Sequence, residues 1–83
     1  MEANEFKGDY GHVMYIVKCN SDRGAKRELT IGKEYHGTYF RDYNSLFITN
    51  DYGGQCQMGI GRFDLLKKID MRTGKELTIK QTV

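Results

Sequence analysis

The chain of 83 residues has neither proline nor tryptophan. Without proline its reversals fall to glycine, asparagine and aspartate, which turn the backbone by other means, and ten glycines meet that demand. Cysteine is scarce as well: Cys19 and Cys56 lie far apart with no CxxC pair. That excludes a disulfide framework and predicts free, partly buried thiols in a reducing cytoplasm. Nowhere do ~18 apolar residues run together, and residues 1–12 carry neither a basic n-region nor an apolar h-region, so neither a membrane span nor an export signal is read. An excess of one charge is also missing. Thirteen Lys and Arg against eleven Asp and Glu leave +2, too little to compel a polyanionic partner.

What is present describes one small all-β domain. A chain this short buries only about 60 to 65% of the surface its unfolded form exposes, enough for a single core, and a hydrophobic share of 39% can fill it. Residues 1–12 lack periodicity and are expected to form a flexible leader that docks, if at all, through Phe6 or Tyr10; the domain proper spans residues 13–83. VMYIVK at 13–18 is β-branched and aromatic and too short for a stable helix, and a polar run at 20–27 follows it. In residues 34–40, Tyr35, Gly37 and Tyr39 share one face while His36, Thr38 and Phe40 share the other. After the tip RDYN, SLFITN and QCQMGIG read as two more strands joined by the glycine-rich turn DYGG. Phe63, Leu66 and Ile69 fall at three-residue spacing, which predicts a short 3₁₀ turn over residues 62–66. KELTIKQ, with Leu77 and Ile79 on one face, predicts a half-buried closing strand. About five short antiparallel strands with glycine turns and no long helix predict a small barrel.

Three short motifs punctuate this order: Leu29, Thr30, Gly32, Lys33 and Tyr35; then Asn50, Asp51 and Gly53; then Arg62, Phe63 and Asp64. Their arrangement resembles small SH3-like proteins encoded by bacteriophages, in which L-T-x-G-K-x-Y precedes an aspartate-glycine hairpin and an R-F-acidic turn. The resemblance covers roughly residues 13–68 and implies an SH3-like barrel. It also implies an accessory protein that binds and redirects a host bacterial protein in the host cytoplasm. The chain lacks the ALYDY segment, the tryptophan and the SxxxY of signalling SH3 domains, so proline-rich ligands are not implied. The motif positions themselves read as turns and core, with Tyr35 lying across the barrel and Phe63 plugging its end.

Catalytic and metal chemistry find little support. The spacings of 7, 17 and 20 residues between His12, Cys19, His36 and Cys56 include none of the close pairs that preorganise a structural zinc site. Neither cysteine has a base beside it, and Ser21 and Ser45 lie in polar turn-like stretches. GIGRFD lacks the third glycine and the following helix of a dinucleotide fingerprint. A non-enzymatic protein without metal or cofactor is therefore expected.

The informative residues are aromatics and cations in excess of the core. Tyr39, Phe40, Tyr43, Phe47 and Tyr52 cluster around two hairpin tips, more rings than a small barrel can bury. Exposed tyrosine with nearby arginine is the composition of protein-binding hot spots, which points to Tyr39, Phe40, Arg41, Tyr43 and Tyr52 as a partner-binding surface. The alternative is that these rings lie over the barrel rim with only their hydroxyls wet. A second functional reading is single-stranded DNA or RNA binding by Arg23, Lys26 and Arg27 in the loop SDRGAKRE beside the same aromatics, although Asp22 and Glu28 dilute that loop, and Lys67 and Lys68 form another small basic spot. A monomer or an edge-paired homodimer fits either reading.

Overall fold

A computed structural model describes residues 12–40 and 43–78. Six strands run in chain order: β1 (Val13–Cys19), β2 (Glu34–Phe40), β3 (Ser45–Thr49), β4 (Gln55–Gly59), β5 (Phe63–Asp70) and β6 (Glu76–Leu77), with a 3₁₀ turn at Ile60–Arg62 between β4 and β5. All neighbours are antiparallel, in the spatial order β4-β3-β2-β1-β5-β6. The all-β expectation holds. The expected barrel of about five antiparallel strands is met in part: six antiparallel strands lie in one open sheet, in which no ladder joins β4 to the β5–β6 side among the described residues. No described helix is long and apolar enough to cross a membrane.

The open sheet is nonetheless curled, and chain length requires it. β4 and β5 stand four places apart in the sheet, which is ~19 Å at ~4.8 Å per strand if the sheet were flat. From Gly59 to Phe63 the chain has only the 3₁₀ turn to cover that span, and ~2 Å of rise per residue gives ~8 Å. β4 and the start of β5 are therefore brought towards each other around a common core.

That core forms from strict alternation. Val13, Tyr15, Val17 and Cys19 of β1 are buried on one face, joined by Tyr35 of β2, Leu46 and Ile48 of β3, and Ile60 and Phe63 from the 3₁₀ turn and β5. The connection between β1 and β2 completes it. Ala25 N–H donates to the Asp22 carbonyl at 2.8 Å and Leu29 N–H to the Ala25 carbonyl at 2.9 Å, which closes two successive turns, and Ala25 and Leu29, four residues apart, are both buried.

Two strand assignments differ from the sequence reading. The 3₁₀ turn falls at Ile60–Arg62 instead of over residues 62–66, and Phe63 opens the longest strand. The three-residue spacing of Phe63, Leu66 and Ile69 is not a shared face: Val17 pairs with Leu65 while Ile16 pairs with Lys67, leaving Leu66 as the extra residue of a β-bulge, and Phe63 opposite Cys19 and Ile69 opposite Met14 point to different sides of the sheet. Of the closing strand, Glu76–Leu77 pair with β5; its predicted continuation through Ile79, the leader before His12 and Arg41 lie outside the described residues.

Candidate functional site

The two ends of the β2–β3–β4 meander are built from different chemistry. At the end where β2 turns into β3, Phe40 pairs with Ser45 and Thr38 with Phe47, so Phe40 and Phe47 are diagonal neighbours on the outer face. Their rings meet edge to face at 5.3 Å and 82°, and Tyr43 stacks on Phe40 at 5.2 Å and 17°. All three keep solvent contact: Phe40 is 36% exposed, Phe47 37% and Tyr43 68%. The left-handed conformation of Asn44, at φ 50°, closes this turn.

Tyr39 does not join them. It lies on the opposite face of β2, packs half-buried against the core, and its hydroxyl donates to Asn44 Oδ1 at 3.1 Å. Alternation within β2 separates Tyr39 from Phe40 because successive side chains point to opposite faces. Tyr52, 70% exposed, sits beyond the far end of β3, a strand of five residues or ~13 Å at ~3.3 Å per step. The structure thus brings Phe40 and Tyr43 together, adds Phe47, and leaves Tyr39 and Tyr52 elsewhere. Phe47 was visible in the sequence as an outward residue between inward Leu46 and Ile48.

The end carrying Tyr52 is a polar latch centred on Asp51. One carboxylate oxygen, Oδ1, accepts from Lys33 Nζ at 2.8 Å and from the Tyr35 hydroxyl at 2.7 Å; the other, Oδ2, accepts from Thr30 Oγ1 at 2.7 Å. The Tyr35 hydroxyl in turn accepts the Thr30 N–H at 2.7 Å, and Asp51 N–H donates to the Glu28 carbonyl at 2.9 Å. Asn50 Oδ1 takes the N–H groups of Tyr52 and Gly54, each at 3.0 Å, and so shapes the turn itself. The Lys33 ammonium, followed by the Thr30 and Tyr35 hydroxyls, holds the Asp51 carboxyl down at about 2. Burial first, and then its hydrogen bond to the Asp51 carboxylate, push the Tyr35 phenol up. Thr30, Lys33, Tyr35 and Asp51, drawn from two of the three sequence motifs, are therefore one connected network.

Arg23, Lys26 and Arg27 are exposed on the outside of the turn whose inside is Ala25 and Leu29. Because residues 20–33 join β1 to the start of β2, this basic segment lies at the latch end, beside Tyr52, and the seven residues of β2, about 20 Å, separate it from Phe40 and Tyr43. The sequence reading that combined these cations with all of the aromatics is thus divided, with only Tyr52 near them. Lys67 and Lys68 are likewise parted, Lys67 exposed and Lys68 buried opposite Tyr15.

Cys19 is buried, its thiol pushed up chiefly by that burial, and its Sγ donates to the Ser21 carbonyl at 3.4 Å; such a thiol is a packing residue, not an activated nucleophile. Cys56 is half-buried and free. Among the described residues, no three or more His, Cys, Asp or Glu side chains converge. In comparisons with known proteins, no family model, no curated protein and no solved structure matched this chain.

Proposed function

We propose that this chain is a small non-enzymatic module that binds a protein partner through Phe40, Tyr43 and Phe47, with Arg41 next to Phe40 in the chain. The observation that carries the reading is the set of three rings, Tyr43 and Phe47 each packed on Phe40, held on the solvent side of the sheet, outside the core. Such a cluster presents a large rigid apolar area at low conformational cost, the property that makes aromatic residues hot spots. The fold itself is read as an SH3-like barrel with an open seam, on the strength of the forced curl between β4 and β5. With the resemblance to bacteriophage proteins, the partner becomes a bacterial host protein met in the host cytoplasm.

A second reading, single-stranded nucleic acid binding, draws on one observation: the segment presenting Arg23, Lys26 and Arg27 is tied to the turn that carries the exposed Tyr52 by the hydrogen bond from Asp51 N–H to the Glu28 carbonyl. The two readings use opposite ends of the sheet, so one experiment separates them. Wild-type protein, a Phe40→Ala and Tyr43→Ala double variant, and an Arg23→Ala and Arg27→Ala double variant are immobilised and presented with bacterial lysate, with and without nuclease, at low and high salt. The protein-binding reading expects a nuclease-resistant protein, little salt dependence, and a loss of at least about 2 kcal/mol in the aromatic variant, roughly 30-fold in Kd. Retention of nucleic acid that falls steeply with salt and disappears in the arginine variant would instead establish the second reading.

A further inference from the structure

Phe47 belongs to two features. One side of its ring meets Phe40; it also walls a groove of about 290 Å³, lined in addition by Met14, His36, Thr38, Thr49 and Gln55. These residues come from β1, β2, β3 and β4, four neighbouring strands, so the groove runs across the sheet for ~14 Å at ~4.8 Å per strand. Thr38 and Thr49 bring short side chains to the lining, while Met14, Phe47, His36 and Gln55 bring long ones. The volume is at the small end of the ~300–1,000 Å³ common to ligand sites, fit for one large side chain with its adjoining backbone and too narrow for a folded surface.

The chemistry of the lining narrows the occupant further. None of the six residues is Lys, Arg, Asp or Glu, and a phosphate or carboxylate entering would lose its water without gaining a cationic partner. What the groove does offer is hydroxyl, amide and imidazole groups at intervals along it, suited to peptide N–H and C=O groups, and two apolar walls, Met14 and Phe47. It is continuous with the aromatic patch through Phe47.

We infer that the groove takes a short, extended, uncharged segment of the protein partner, about four residues long by its span, with one aromatic or long aliphatic side chain seated against Phe47 and Met14. The inference rests on the protein-binding reading of the neighbouring rings and names the kind of segment they grip.

The test uses a random heptapeptide library displayed on phage, panned on the immobilised protein, followed by titration of the isotope-labelled chain with the enriched peptide, its termini blocked. Expected is enrichment of sequences with an aromatic or aliphatic anchor inside a stretch free of Asp, Glu, Lys and Arg. Amide shifts should concentrate in β2 and β3, and affinity should fall at least tenfold in Thr38→Arg and in Gln55→Arg. Gln55 is exposed, so its variant guards against the case in which Thr38→Arg fails to fold. No enrichment, enrichment of charged peptides, or binding indifferent to both substitutions overturns the groove. If the Phe40→Ala and Tyr43→Ala variant loses the natural partner while Thr38→Arg and Gln55→Arg keep it, the groove fails and the aromatic surface stands; if the partner stays bound to all of them, both fail.

Discussion

The latch end and the aromatic end of the meander share strand β3 and differ in where their side chains find partners. Around Asp51, the side chains of Thr30, Lys33 and Tyr35 find partners within the chain: an ammonium, two hydroxyls and a backbone N–H converge on the carboxylate or on the phenol beside it. Around Phe40, the rings answer one another and still face water. A self-satisfied network stabilises the fold and leaves little for a ligand to gain. A partly exposed apolar cluster contributes less to folding than its area allows and keeps the remainder for association. The contrast assigns stability to one end and recognition to the other, and substitutions can break or sharpen it.

The largest effect is expected midway between the ends, at Gly37, which stands opposite Tyr15 on one side and Ile48 on the other. A Cβ built there lies 2.0 Å from the Phe47 carbonyl oxygen and 2.8 Å from the Ile48 side chain. The first obstacle is backbone, so β2 and β3 must separate to admit it. Gly37→Ala should cost about 3 kcal/mol or more, read as a fall in the denaturant midpoint, and should damage the latch and the aromatic cluster together. A Gly37→Ala protein of wild-type stability would show that the close approach of β2 to β3 is not required, and with it the coupling of the two ends.

Within the latch, Tyr35→Phe removes the hydroxyl that accepts from Thr30 N–H and donates to Asp51 while leaving the ring edge to face with Phe63 at 6.4 Å. About 1–2 kcal/mol of stability should be lost in chemical denaturation, with no change in partner binding. The same network predicts a pH response. Asp51 has its carboxyl lowered from 3.8 to about 2 in the folded chain, so its contribution is fully present above about pH 4 and is lost as pH falls towards 2. Asp51→Asn should therefore be less stable than wild type at neutral pH and should flatten the acid limb between pH 4 and 2. The limb should not vanish, because Asp70, lowered mainly by the Arg72 N–H, loses stability in the same direction. Parallel pH profiles for variant and wild type would remove Asp51 from the centre of the latch.

How much of this was legible beforehand depended on whether the signal was local. Local pattern placed the β1 to β4 strands and set Tyr35, Gly37 and Tyr39 on one face of β2, since burial has a period of two whatever the partner strand is. The bulge at Leu66 was not legible. It breaks that period inside β5, and only the ladder with β1 reveals it. Thr30, Lys33, Tyr35 and Asp51 stood out as motif residues, yet their convergence on one carboxylate depends on the pairing of β2 with β3, which a linear reading does not supply. At the candidate site, the excess of aromatics was visible, and alternation already set Tyr39 and Phe40 on opposite faces of β2; the meeting of Phe40 with Phe47 was not visible, because it depends on the register between β2 and β3.

The smallest effect on stability is expected where the effect on binding is greatest. Tyr43 is the most exposed ring of the cluster and rests on Phe40 in a stack, so Tyr43→Ala removes a contact that folding scarcely uses. Thermal and denaturant midpoints should stay within about 0.5 kcal/mol of wild type, the range of ordinary surface substitutions, while affinity for the protein partner drops by tenfold or more. Tyr52→Ala, equally exposed but at the latch end, serves as the matched control and should leave both quantities unchanged. A loss of binding at Tyr52 with Tyr43 silent would move recognition to the basic turn and reverse the assignment of the two ends.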